Sequence, residues 1–206
     1  MIHELRCYTI VPGGMPEYLR LLETVSVPIR GDRYGKLLGF WVVEIGAANH
    51  VFHLWEHDSL DARQRLREEL FNRDDWQRDL VKPVERTIEA QTVRLMETPH
   101  PVAGPKDRPN VYEVTLIRAH LGRANRVAAA LADLAVDAGS HTVGWWTTIA
   151  GDPNEVVHIA AHRDLAARVS RTVRRPAWVK FMTESADSIR GMSSSLAIPA
   201  IHSPMQ

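Results

Sequence analysis

The stretch Asn49-His-Val-Phe-His-Leu-Trp-Glu-His57 recurs in the second half of the chain as Asn154-Glu-Val-Val-His-Ile-Ala-Ala-His162. Both copies keep the asparagine, a histidine at 53 and 158, a histidine at 57 and 162, and an alternation of side chains that is typical of a β-strand. A leucine and an arginine follow each copy at the same spacing: Leu60 and Arg63 in the first, Leu165 and Arg168 in the second. A duplicated domain explains this better than chance.

Further matches extend the repeat in both directions. His3–Tyr8 aligns with Tyr112–Ile117, and Gly39-Phe-Trp41 aligns with Gly144-Trp-Trp146. Between the copies, the segment 98–110 contains four prolines, which remove amide donors and disfavour helical geometry. We therefore predict a first domain at 1–98, a linker at 99–109 and a second domain at 110–206.

Each copy is predicted to fold as strand, helix, strand, strand, helix, strand. In the first copy the strands are expected at 2–10, 37–45, 50–57 and 92–96. A Gly46–Asn49 turn joins the middle pair as a hairpin, and Asn49 and Asn154 are expected to tolerate positive φ in their turns. Residues 60–90 are predicted to be helical with a break at 72–75, starting from an N-terminal cap at Asp58-Ser59. This order is the ferredoxin-like plan of the α+β class.

The free faces of two such sheets can bury each other, which predicts a barrel of two half-sheets within one chain. We expect the row His3, Leu5 and Cys7 to pack on the helices, with Cys7 as an inert core thiol. The opposite row, Glu4, Arg6 and Tyr8 with His53, Trp55 and His57, would then face the space between the sheets. Buried polar side chains need partners, so this row predicts a pocket.

Composition excludes several functional classes. The 206 residues carry 25 basic and 25 acidic side chains, so no overall charge favours nucleic acid or an anionic membrane. One cysteine gives neither an intrachain disulfide nor a thiolate cluster for zinc, and the apolar runs are short, so a cytoplasmic protein is expected. Nucleotide-binding and zinc-protease motifs are absent from the sequence.

The first copy carries several motifs at fixed spacings: Glu4-Leu-Arg-Cys-Tyr8, Gly39-x-Trp41-x-x-Glu44-x-Gly46-x-x-Asn49, His53-Leu-Trp55 and Arg63. With these motifs the first copy resembles the NIPSNAP family. The resemblance implies a dimeric α+β barrel fold, related to cofactor-free monooxygenases, isomerases and polyketide cyclases and more distantly to haem-binding barrels. The second copy departs from the family pattern at the equivalents of Arg6, Glu44 and Trp55, which puts a second active site in doubt.

Candidate catalytic residues are His53 or Glu44 as general base, with Arg6 and Tyr8 stabilising negative charge. Each has a structural alternative: a hydrogen-bonded histidine, or an Arg6–Glu44 ion pair. The substrate-binding candidates are Trp41, Trp55, His57, His158 and Trp146, and the tryptophans could equally be core. The run Arg63, Arg65 and Arg67 is expected on a solvated helix face.

Arg6, Tyr8 and Trp55 become Thr115, Ile117 and Ala160 in the second copy, so the first copy is expected to supply most of the chemistry. We predict a cofactor-independent enzyme for a small aromatic or carbonyl-bearing molecule, without metal. The alternative is a non-enzymatic protein that binds a hydrophobic ligand or haem. The expected partner is a small organic molecule, with no nucleic acid and no membrane, and homo-oligomers stay compatible with the sequence.

Overall fold

The computed structural model describes residues 1–105, 110–132, 134, 141–172 and 176–206, so part of the predicted linker at 99–109 lies outside the described residues. The chain divides into two units. The first comprises Met1–Val43, Ala47–Leu95 and Pro199–Met205, and the second comprises Glu44–Gly46, Met96–Ile198 and Gln206.

The first copy forms four strands: β1 (Ile2–Ile10), β2 (Lys36–Ile45), β3 (His50–His57) and β4 (Ile88–Glu97). Four helices accompany them: α1 (Met15–Leu21), α2 (Val27–Arg30), α3 (Leu60–Phe71) and α4 (Lys82–Glu85). Strand β3 lies between β1 and β2 and is antiparallel to both. The Ser59 side chain accepts a hydrogen bond from the Ala62 amide at 3.0 Å, so the predicted cap of α3 is present.

The second copy repeats the order. Its strands are β5 (Val111–Ala119), β6 (His141–Ala150), β7 (Glu155–His162) and β8 (Ile189–Pro199), and its helices are α5 (Ala124–Leu131), α6 (Leu165–Thr172) and α7 (Pro176–Glu184). Strand β5 pairs antiparallel with β7 and β8, and β7 pairs with β6. The strand order of the chain, β1-β3-β2-β8-β5-β7-β6-β4, is that of a closed barrel, which confirms the predicted α+β barrel class. Among the described residues, no helix has the length and hydropathy of a membrane span.

Two features differ from the prediction, one helix boundary and one turn conformation. The helical region ends at Glu85 rather than near residue 90, because both the amide and the hydroxyl of Thr87 donate to the Val84 carbonyl and close the last turn. Asn49 has a φ of 57°, as predicted. Asn154 does not adopt positive φ, and its side chain instead accepts a hydrogen bond from the Gly122 amide.

Two prolines are associated with widened helical turns in the first unit. Wide π-helical turns at Leu22–Ser26 and Trp76–Val81 each end two residues before a proline, Pro28 or Pro83. Proline has no amide hydrogen, and its ring clashes with the carbonyl four residues earlier in a regular helix. A widened turn relieves that clash and keeps the helix running, and such turns are frequent at functional sites.

The repeated Gly-x-Trp motif is a packing device. A Cβ on Gly39 would overlap the Trp41 indole, and one on Gly144 would stand 2.7 Å from Cη2 of Trp146. Both tryptophans are fully buried. A β-bulge directly precedes each glycine, so the two copies share backbone irregularities as well as sequence.

We predict that Gly39→Ala and Gly144→Ala each lower the free energy of unfolding by about 1 to 3 kcal/mol, the usual cost of overpacking. Alanine ordinarily stabilises a strand relative to glycine, so the sign identifies the indole contact. Urea unfolding measures the effect. Gly191→Ala on β8 is the control, because its Cβ would meet only the flexible end of Arg118 at 3.2 Å. Equal stability of the Gly39 variant and wild type would contradict the packing role.

Candidate functional site

The polar row of β1 and β3 lies under the helices. Arg6 is paired with His53 and Tyr8 with Val51, so these side chains share one face of the sheet. On that face Tyr8 packs in a cluster with Tyr18 of α1, and their rings are 6.4 Å apart. The predicted orientation of the sheet is therefore wrong: His3, Leu5 and Cys7, which were expected to pack on the helices, lie on the face away from them. Both faces are largely buried, so apolar character alone did not distinguish them.

A pocket of about 530 Å³ lies within the first unit, between this sheet face and the helical layer. Its aromatic wall includes Tyr8, Tyr18, Trp55, Phe71 and Trp76. The two widened helical turns contribute to the lining, Leu22 and Ser26 from the first and Trp76, Leu80 and Val81 from the second. The charged side chains of the lining are Arg6, Arg30 and Arg67, with the exposed Glu85 and Glu89. Such a volume suits a ligand of one or a few rings.

Glu4 organises the charges beside the pocket. Its side chain has no exposed area, and its two oxygens accept hydrogen bonds from the Nε atoms of Arg6 on β1 and Arg63 on α3. Burial alone would raise the pKa of the Glu4 carboxyl, but the positive charges of the two arginines hold it below its usual range. The carboxylate thereby fixes helix α3 to the sheet and orients Arg6, whose Nη1 donates to the Tyr8 hydroxyl at 2.9 Å.

His53 is held as a neutral imidazole in a defined tautomer. The indole nitrogen of Trp55 can only donate, and it lies 2.8 Å from Nδ1 of His53. Nδ1 must therefore accept, and the ring proton sits on Nε2, which has no hydrogen-bond partner among the described residues. Burial, together with the charges of Arg6 and Arg30, lowers the pKa of His53 well below its usual value. In this arrangement His53 is a hydrogen-bond donor rather than a free base.

Arg30 places a second guanidinium against this group. Its Cζ lies 3.6 Å from the centre of the Trp55 ring, and its Nη2 donates to the Tyr34 carbonyl at 2.9 Å. The residue is 7% exposed, and burial close to Arg6 lowers its pKa to about 9, so it stays charged at neutral pH. Arg67 is half-buried on α3, where burial and Arg6 lower its pKa too.

Several sequence candidates lie elsewhere. Glu44 is exposed, and the carboxylate bound to Arg6 is Glu4 instead. Trp41 lies with Gly39 on the sheet face opposite the pocket, and Trp146 packs on Gly144 in the second unit. His57 is on the same face as His53 but packs against Gly35, and burial lowers its pKa to about 4.

The second unit keeps part of the arrangement. His158 is paired with Thr115 where His53 is paired with Arg6, and Ala160 occupies the position of Trp55. Glu113, the equivalent of Glu4, binds Arg168 at 2.7 Å and lies 3.3 Å from Nε2 of His162. The strand-to-helix carboxylate–arginine pair is therefore common to both units, whereas Arg6 and Tyr8 are specific to the first.

Sequence reasoning missed Arg30, Arg67 and the role of Glu4. Arg63 and Arg67 are four residues apart on α3 and so share a helix face, the one toward the sheet, while Arg65 is exposed. That spacing indicates that two of the three arginines face the sheet, so the run could not be wholly solvated. For Arg30 the sequence offers no periodic signal. Cys7, with its pKa raised by burial to about 11, stays a thiol on the opposite sheet face.

Comparison with known proteins matches the chain twice to one family model. The NIPSNAP family model matches residues 3–101 and again residues 112–204. The chain belongs to the NIPSNAP family. Protein NipSnap homolog 3B from Homo sapiens is 26% identical over an alignment covering 99% of this chain and 85% of that protein.

Solved structures share the NIPSNAP chain's fold at low sequence identity. A candidate monooxygenase from Lactobacillus acidophilus NCFM has a TM-score of 0.68 and 16% identity, covering 97% of this chain and 93% of its own. An anthrone oxidase-like protein has a TM-score of 0.69 and 11% identity, covering 98% and 92%. At these identities the likeness is one of fold.

We predict that Glu4→Gln lowers the free energy of unfolding by about 3 to 5 kcal/mol, because it leaves buried guanidinium charge uncompensated. Glu17→Gln is the matched control: Glu17 also binds an arginine, Arg20, but solvent screens this exposed pair, so its loss should lower stability far less. Urea denaturation at pH 7 compares them. Similar losses in the two variants would show that Glu4 does not carry the arrangement.

The lowered pKa of Glu113 leads us to predict that the second unit loses stability in acid. Burial opposes ionisation, but hydrogen bonds from His162 and Arg168 hold its pKa at about 2, below the usual 4.5. Its stabilisation is therefore complete above the unfolded pKa and is lost as pH falls from about 4.5 to about 2. Thermal unfolding across this range should show a shallower decline in Glu113→Gln than in wild type. An unchanged slope would contradict the assignment.

Proposed function

We propose that the first unit is a cofactor-independent enzyme that stabilises the enolate of a small aromatic or carbonyl-bearing molecule. The observation that carries the proposal is the grouping of Arg6, the Tyr8 hydroxyl and the neutral His53 at one aromatic pocket. Tyr8 accepts from Arg6, so its own proton is available to a ligand, and Nε2–H of His53 lacks an acceptor among the described residues. A developing oxyanion is the acceptor such donors favour.

The proposed step is a proton transfer. A C–H bond beside a carbonyl breaks, its electron pair moves to the carbonyl oxygen, and its proton passes to a carboxylate that lines the pocket, Glu85 or Glu89. The charge of Arg6 and hydrogen bonds from Tyr8 and His53 stabilise the oxyanion. Reversal returns the proton to carbon. This assigns the base to the pocket lining, since Glu44 does not line the pocket and His53 carries its proton on Nε2.

Fold neighbours support this class of chemistry without identifying a substrate. One is described as a candidate monooxygenase and another as an anthrone oxidase-like protein, and an anthrone loses a C–H proton to form an oxyanion before it can be oxidised. A resonance-stabilised carbanion reacts at carbon with oxygen or with a proton. Stabilisation of that anion is the contribution we assign to this chain.

Haem fits the described residues poorly. An axial histidine binds iron through an unprotonated ring nitrogen, whereas Nδ1 of His53 accepts from Trp55 and Nε2 carries the proton. Among the residues that the structure describes, no group of three histidine, cysteine or acidic side chains is placed to hold a metal ion. The second candidate function is therefore a binding protein for an organic ligand rather than for haem.

The test is hydrogen–deuterium exchange at the acidic carbon of anthrone and of phenylpyruvate in D₂O, followed by NMR. We expect exchange above the buffer rate in wild type and a loss of about 10² to 10³ in Tyr8→Phe or His53→Asn, the usual effect of removing one oxyanion donor. His158→Asn is the internal control at the duplicated position and should retain the wild-type rate.

The outcomes separate the two candidate functions. Binding of a probe without exchange above buffer would favour the binding protein and overturn the enzyme. Equal losses in His53→Asn and His158→Asn, with equal losses of stability, would assign both histidines a structural role.

A further inference from the structure

The charges around the pocket do not balance. Four arginines, Arg6, Arg30, Arg63 and Arg67, stand beside one buried carboxylate, Glu4. Glu4 binds both Arg6 and Arg63 but compensates only one of their two positive charges. Arg30 and Arg67 then have no ion-pair partner among the residues that the structure describes, and Glu85 and Glu89 lie exposed at the pocket rim.

The guanidinium of Arg30 is held in a fixed orientation that suits recognition of an anion. Trp55 covers one face of the guanidinium, and the Tyr34 carbonyl anchors one terminal nitrogen. Its Nε is buried and has no hydrogen-bond partner among the described residues. A buried charge without a counter-ion is costly, and a protein retains it where a ligand supplies the opposite charge. A planar guanidinium in fixed orientation matches a planar oxyanion such as a carboxylate.

We propose that Arg30, assisted by Arg67, is a subsite for the carboxylate of a planar organic acid, whose ring occupies the aromatic part of the same pocket. Trp55 links this subsite to the oxyanion donors, since its indole ring carries Arg30 and its N–H fixes His53. The ligand is therefore an acid that bears a permanent negative charge apart from the reacting oxygen. The inference rests on the proposed function in using its pocket, but binding measurements test it without turnover.

The experiment compares 2-naphthoate with 2-naphthamide, which have the same rings and differ in charge, by isothermal titration calorimetry. We expect wild type to bind the carboxylate at least tenfold more tightly than the amide. Arg30→Gln should remove that preference by lowering the affinity for the carboxylate toward that for the amide. Arg33→Gln is the matched control, since Arg33 is nearby, largely exposed and paired with Glu69.

Two further variants guard against a folding artefact. Arg67→Gln changes a half-buried side chain and should reduce the preference partly, while Arg30→Lys keeps the charge and should retain part of it. Circular dichroism and melting temperature verify that each variant is folded. Equal affinity for the two probes in wild type, or binding of neither, overturns the proposal, as does a carboxylate preference that survives in both folded Arg30→Gln and Arg67→Gln.

The proposed enzyme activity and the proposed carboxylate subsite are tested independently of each other. Preferential binding of 2-naphthoate without exchange of phenylpyruvate supports the subsite and contradicts the enzyme. Exchange of anthrone, with no preference for 2-naphthoate over 2-naphthamide, supports the enzyme and contradicts the subsite.

Discussion

The buried ion triplet of Glu4 with Arg6 and Arg63 is the constraint on which the first unit depends. A carboxylate with no exposed area is tolerated only because two guanidinium groups hold its oxygens. One of them comes from α3 and fixes that helix over the sheet, and the other comes from β1 and turns toward Tyr8. The same carboxylate therefore positions a wall of the pocket and one of its charged groups.

Duplication separates the part of this arrangement that both units share from the part that is specific to the first unit. Glu113 and Arg168 keep the strand-to-helix ion pair in the second unit, so this pair serves the fold in both copies. Arg6 is the addition: where the first unit has a second arginine on the carboxylate, the second has Thr115, whose hydroxyl lies 2.8 Å from that of Ser194. The difference between the copies is thus one of side chains on a shared backbone.

Much of the fold could be predicted because the local sequence signals are strong and agree with one another. The alternation of β1 and β3, the cap at Ser59 and the positive φ at Asn49 each depend on a few adjacent residues. The orientation of the sheet could not be predicted the same way. Leu5 on one face and Tyr8 on the other are both buried, so hydrophobicity did not indicate which face carries the helices.

The site was predictable only where its residues share a strand. Arg6, Tyr8, His53 and Trp55 follow a period of two and were found together, whereas Arg30 belongs to a short helix whose position depends on the widened turn before Pro28. Tertiary packing, not local pattern, brings its charge beside Trp55. A chain optimised only for stability would not have kept this buried guanidinium without a counter-ion. It is retained against an aromatic ring, beside two further arginines, Arg6 and Arg63, that share the single carboxylate of Glu4. A bound anion would correct this excess of positive charge.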